Sequence, residues 1–139
     1  MSNKDSFIRV LLALVFLLLF ALFVYVAKEV SPNRGDAKLK ELQGLSSETP
    51  TYPSFQIVNK TYSSRYLDAG VYEYYRSTAK YDDVKEFYSG TLSQRGWSLD
   101  AEDEGKKITF RKGELRIVIE FAGDDTDHSW NYAVDFLWK

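Results

Sequence analysis

The stretch Trp97–Trp138, WSLDAEDEGKKITFRKGELRIVIEFAGDDTDHSWNYAVDFLW, alternates apolar and polar residues through four successive runs. Trp97, Leu99 and Ala101 alternate with Ser98 and Asp100, and Ile108 and Phe110 with Thr109 and Arg111. Leu115, Ile117, Ile119 and Phe121 then alternate with Arg116, Val118 and Glu120. In the last run Trp130, Tyr132, Val134, Phe136 and Trp138 alternate with Asn131, Ala133 and Asp135. A strand turns successive side chains to opposite faces, so a sustained period of two predicts an antiparallel meander with one covered face. Turns are expected at 102–105, at Lys112-Gly113 and at 123–128.

Working back from this meander, Val84, Phe87, Tyr88, Thr91 and Leu92 fall on one stripe at helical spacing and predict a helix over 82–95. Asp82 and Asp83 suit its positive end, and Arg95 its negative end. Gly96 is placed for the left-handed position beyond the last turn. Gly90 costs this helix about 1 kcal/mol relative to alanine, a cost that a close approach to the sheet would explain. Before the helix, Val71–Thr78 reads as a strong strand, with Tyr72 and Tyr74 on one face and Val71, Glu73 and Tyr75 on the other. Phe55–Val58 reads as a short one. The fold expected for 54–139 is therefore α+β, one helix packed on an antiparallel sheet of five or six strands. Its interior is expected to contain Phe55, Ile57, Tyr74, Val84, Phe87, Leu92, Trp97, Ile108, Phe110, Ile117, Ile119, Val134 and Phe136.

Residues 29–53 read as a connector. Ser31-Pro32-Asn33 and Gly35 interrupt the preceding helix, and Asp36 is placed to cap a short one in which Leu39 and Leu42 share a face. Such a helix is marginal in isolation.

Upstream, Val10–Ala27 is a run of eighteen apolar or aromatic residues without charge, proline or glycine. At about 1.5 Å per residue it nearly spans the hydrocarbon of a bilayer. We read a transmembrane helix over 7–28 behind a polar head, 1–6. A cleaved signal peptide would have a shorter apolar core and a small-x-small site. A cut after Ala27 would instead place Tyr25 where a small residue is required. Ala13 and Ala21 share a helix face, but no Gly-x-x-x-Gly pattern joins them, so the helix is expected to anchor rather than to drive a strong dimer. The Lys and Arg count slightly favours a cytoplasmic C-terminal side. Signal-anchor behaviour behind a basic head favours the opposite, and the expectation adopted is a single-pass protein with its C-terminal domain outside the cytoplasm.

Setting aside Lys4, Asp5, Arg9 and Lys28, the chain carries 15 basic against 19 acidic residues, a net charge of −4 without a basic block. Nucleic acid and anionic lipid are therefore poor partners for the domain surface at large. The absence of cysteine excludes disulfides, thiolate metal sites and cysteine nucleophiles. No cofactor is implied.

Three constellations invite chemistry. Asp124, Asp125, Asp127 and His128 gather oxygens that suit a hard cation. They lack the spacing, central glycine and terminal glutamate of a calcium loop, so a polar hairpin loop is the plainer reading. His128 is the single histidine and has no Gly-x-Ser-x-Gly elbow to serve. The carboxylates of 100–104 share one turn and cannot flank a sugar from opposite sides. The tyrosines are the remaining candidates. Tyr62, Tyr66, Tyr72 and Tyr75 would form a partner or ligand surface if they share an exposed face; otherwise such rings fill the core of a small cysteine-free domain. Asn59-Lys60-Thr61 matches a glycosylation sequon, which matters only in a secretory eukaryotic setting.

Val71-Tyr72-Glu73-Tyr74, then Val84, Phe87-Tyr88, Leu92 and Gly96-Trp97, then Phe110-Arg111-Lys112-Gly113 form an ordered set of features. The set resembles a pattern in small, uncharacterised bacterial lipoproteins and single-pass membrane proteins. The likeness covers roughly 70–121, consists of packing and turn residues, and implies a bacterial envelope protein with no activity attached. This chain has a helical anchor where the lipoproteins have a lipidated cysteine. The functional expectation is a non-catalytic interaction or scaffolding domain that recruits or stabilises another envelope protein. The alternative is a glycan- or small-molecule-binding domain, enzymatic or not, that uses a tyrosine-rich surface; a deep pocket lined by several tyrosines and a carboxylate would favour it.

Overall fold

A computed structural model of the chain describes the backbone of residues 3–30, 34–124 and 127–139, and the side chains of 8–26, 34–124 and 127–139. The chain forms two compact units, Met1–Pro32 and Asn33–Lys139. The first contains helix α1 (Asn3–Val30), within which Ile8–Val26 is long and apolar enough to cross a membrane. Its described side chains are all exposed.

The second unit is α+β. Helix α2 (Arg34–Glu48) is followed by strands β1 (Gln56–Ser64) and β2 (Ala69–Arg76), then helix α3 (Tyr81–Gln94). Strands β3 (Ser98–Asp103), β4 (Lys107–Lys112), β5 (Leu115–Phe121) and β6 (Tyr132–Trp138) complete it. They form one six-stranded sheet in the order β1-β2-β6-β5-β4-β3, every neighbouring pair antiparallel. The meander read from 97–138 is present, and β6 continues it by pairing with β2 of the N-terminal hairpin.

Register explains the core. Val71, Phe136, Ile117 and Phe110 lie opposite one another across β2, β6, β5 and β4, as do Glu73, Val134, Ile119 and Ile108 one row along. Apart from Glu73 these side chains are buried apolar groups on one face, covered by Leu42 of α2 and Val84, Tyr88 and Leu92 of α3. The aromatic residues continue the packing: Phe55 lies 4.9 Å from both Tyr75 and Tyr132, and Tyr132 stacks at 4.8 Å on Phe121. Most of the tyrosines near the helices are thus core.

Several expectations change. Tyr74 lies on the uncovered face, because β2 turns Val71, Glu73 and Tyr75 to the core instead. Ile57 is 59% exposed at the sheet edge, and Phe55 and Phe87 are only partly buried. Gly90 makes no close approach: a Cβ there would meet nothing within 4 Å. Gly96 does adopt φ +80°, as a left-handed helix terminus requires.

The largest difference is α2. Leu42 is fully buried and Leu39 and Leu45 pack beside it, so α2 is a layer of the folded unit rather than part of a spacer. Asp36 does not cap this helix; it lies in the first turn and accepts a hydrogen bond from Ser64 Oγ at 2.5 Å. The compact unit spans Asn33–Lys139 and includes α2.

Candidate functional site

The four tyrosines proposed as one surface do not share one. Tyr75 is buried on the covered face, where its hydroxyl donates to Glu73 Oε2 at 2.6 Å. Burial and that carboxylate both push its ionisation upward. Tyr72 projects from the uncovered face. Tyr62 (52% exposed) and Tyr66 (58%) belong to β1 and the β1–β2 turn.

Tyr62 and Tyr66 instead join another group. Among the described residues of the folded unit, the exposed large apolar side chains are Ile57, Val58, Tyr62, Tyr66, Leu67 and Leu99. All but Leu99 lie on β1 or its turn. β1 is also a terminal strand, paired with β2 alone, so its outer backbone groups have no strand partner. Such an edge is a template for another extended chain unless charge or irregularity blunts it.

The two edges differ in that protection. β3 carries Asp100, Glu102 and Asp103, with a register shift beside Asp100. Asp100 meets Arg111 at 3.3 Å, and Glu102 pairs with Lys85 of α3. The acidic run 100–104 is thus divided between the two faces of an edge strand. β1 has a register shift at Val58 and a single charge, Lys60, which is turned inward. Lys60 Nζ lies 2.6 Å from Glu73 Oε1 and donates to Ser46 Oγ at 2.7 Å, while Ser46 donates to the same carboxylate at 2.5 Å. Register places Lys60 directly opposite Glu73. A buried carboxylate needs such partners, and satisfying it takes the lysine away from the edge it would otherwise protect.

The loop 123–128 does not assemble a metal centre among the described residues. Asp124 lines a cleft, Asp127 and His128 are exposed, and no group of three or more His, Asp or Glu is placed to hold an ion. Asp125 lies outside the described residues. The His128 ring stacks on Trp130 at 5.1 Å, and Trp130 packs on Tyr74 at 5.0 Å.

The cleft is open, about 630 Å³, and lies at the end of the sheet between Pro53, Gln56, Arg76, Ser77, Asp124 and Asn131. No tyrosine lines it. Its inner polar groups hold the chain together: Asn131 donates to Ser77 O at 2.7 Å and accepts from Ser77 N at 3.0 Å, and the Ser54 and Ser77 hydroxyls pair at 2.7 Å.

Sequence reasoning missed Asp135. It stands on the uncovered face opposite Tyr72, and its Oδ1 is shielded from solvent without a hydrogen-bond partner. Burial, reinforced by the Glu120 carboxylate, pushes its pKa up to about 7. Alternation alone marked Asp135 as an ordinary outward residue. Beside it, the Tyr72 ring folds over Gly70, where a Cβ would fall 2.5 Å from the hydroxyl oxygen. Shielding from such rings carries no signal in hydropathy.

No protein-family model, curated protein or solved structure matches this chain.

Proposed function

We propose that this protein is a single-pass, membrane-anchored interaction domain of the cell envelope. It recruits or stabilises another envelope protein by pairing an extended segment of that protein with the free edge of β1. The observation that carries the reading is the asymmetry of the edges: β3 is acidic and ion-paired, whereas β1 presents Ile57, Val58 and Tyr62 along an edge that has no strand partner, with the Lys60 N–H donating to Asn59 Oδ1. Main-chain hydrogen bonds supply affinity in this mode, and the flanking apolar side chains supply selectivity. The glycan-binding alternative lacks comparable support, because Tyr62, Tyr66, Tyr72 and Tyr75 are distributed over different surfaces and none lines the cleft.

The bilayer is the second partner, through 7–28. Eighteen uninterrupted apolar residues, and Tyr25 standing where a cut after Ala27 requires a small residue, support retention as an anchor. The basic head ahead of a lone N-terminal apolar run supports a signal-anchor, with the domain outside the cytoplasm. A reporter fused after Lys139 should be active only outside; activity confined to the cytoplasm would reverse the direction. Affinity purification in mild detergent should recover a partner with the parent chain and lose it with Ile57→Lys/Val58→Lys. Equal recovery by this variant, with its melting temperature unchanged, would exclude the β1 edge as the docking surface.

A further inference from the structure

The turn that joins β1 to β2 is bound to the start of α2. A Cβ at Gly35 would fall 1.8 Å from Arg65 O, so the two backbones are in direct contact. Ser64 Oγ donates to Asp36 Oδ1 at 2.5 Å, and Arg65 N–H donates to Asp68 O at 2.8 Å to close the turn. Its tip, Tyr66-Leu67, is exposed, and Leu67, at 68%, is the most exposed large apolar residue described in this unit. Nothing in the packing of the domain accounts for a leucine held there.

Covalent reach limits where that tip can go. The backbone of α1 is helical to Val30, and Gly35, which touches Arg65, follows five residues later. A fully extended chain covers at most about 3.3–3.6 Å per residue, so covalent length lets Gly35 lie no more than about 18 Å from Val30 and the Leu67 tip no more than about 30 Å. If α1 crosses a bilayer, that length allows the tip to reach the headgroups. The chemistry of the tip suits that zone. Tyrosine favours the interface, leucine the acyl boundary, and the flanking Arg65 reaches phosphates with its guanidinium while its stem stays apolar. Register puts Lys139 at the same end of the sheet, following Trp138, which pairs with Ala69. The opposite end carries Asp103, Glu104 and Asp124. Asp68, Asp36 and Glu114 also lie at the tip's end, so its charge is mixed and the lipid contact rests on Tyr66 and Leu67 rather than on net charge.

We propose that the β1–β2 turn inserts Tyr66 and Leu67 into the bilayer interface as a second membrane contact, which sets the direction in which the β1 edge faces. This inference rests on the reading of α1 as a membrane span. Because the anchor already holds the domain at the surface, two side chains suffice for a contact that would be negligible in a free domain.

The test uses the full chain, which has no cysteine, so Leu67→Cys or Glu104→Cys can each be labelled at one position with an environment-sensitive fluorophore. Each protein is reconstituted into phosphatidylcholine vesicles containing one quarter phosphatidylglycerol, with and without brominated lipid. Flotation with the vesicles after alkaline wash reports the span. The expected result is flotation of both proteins, a blue-shifted emission at 67, and at least twofold stronger quenching by brominated lipid at 67 than at 104. Flotation with equal, water-like emission at both positions would overturn the contact and leave the span intact. Failure to float would overturn the span and the contact together. A parallel label at Tyr66→Cys should reproduce the result for 67; water-like emission there would also contradict insertion of the tip.

Discussion

Asn131 shows how one side chain replaces a missing stretch of strand. Its amide pairs with both backbone groups of Ser77, and its own N–H donates to Tyr75 O, prolonging the β2–β6 ladder past its last regular pair. It is 1% exposed, so Asn131→Ala leaves two buried backbone groups unpaired. The expected loss is about 2–6 kcal/mol in urea unfolding, from about 1–3 kcal/mol for each unsatisfied group. Asp135 is the opposite case. Its pKa is held at about 7 by burial and Glu120, above the ordinary 3.8. Between these values the folded state retains a proton that the unfolded state has lost, so this group lowers stability as pH rises from about 4 to 7 and no further above that. Asp135→Asn should therefore match the parent near pH 4 and exceed it at pH 8 by on the order of a few kcal/mol. Equal melting curves at pH 8 would show that the carboxylate is not strained. Neither role was legible beforehand, since Asn131 and Asp135 occupy positions where alternation asks only for a polar residue. The orientation of β2 was ambiguous for a related reason. Tyr72 and Tyr74 are as apolar as Val71 and Tyr75, and what decides the inward face is the set of partners awaiting Glu73.

At the level of elements, the strands of 97–138 and helix α3 were legible because their apolar positions repeat over whole elements. The expected helix, 82–95, and the observed one, Tyr81–Gln94, differ by one residue at each end. Gly90 was misread. With open space around its Cα it has no packing role, so Gly90→Ala should stabilise the domain by about 0.5–1 kcal/mol through the helix propensity alone. A loss of stability would indicate a contact that the geometry does not show. Helix α2 was underestimated because most of its fifteen residues are polar or small, and its case as a helix alone is poor. Docking supplies what propensity lacks: Leu42 enters the core, Ser46 joins Glu73 and Lys60, and the Glu48 carbonyl accepts from Arg95 Nη1 at 2.7 Å. Leu42→Ala should cost about 2–5 kcal/mol. A fragment beginning at 54 should be far less stable than one beginning at 34, as thermal unfolding of the two would show.

For the molecule as a whole, the architecture is readable in the sequence, whereas the proposed docking surface is almost unmarked in it. β1 was recognised only as far as Val58. Its remainder, Asn59–Ser64, reads as a polar segment, and the inward turn of Lys60 that leaves the edge apolar depends on α2, β1 and β2 meeting around Glu73. Of the four tyrosines expected on one surface, Tyr62 and Tyr66 lie exposed on β1 and its turn, whereas Tyr72 and Tyr75 belong elsewhere. The account thus centres on β1 as the docking edge of a tethered domain. The most direct measurement is photo-crosslinking in native membranes, with benzoylphenylalanine placed at Val58 or Tyr62 on β1 and at Asp103 on β3. The account predicts discrete crosslinked species from 58 and 62 and none from 103. Crosslinks confined to 103, or no crosslink from either β1 position, would contradict it.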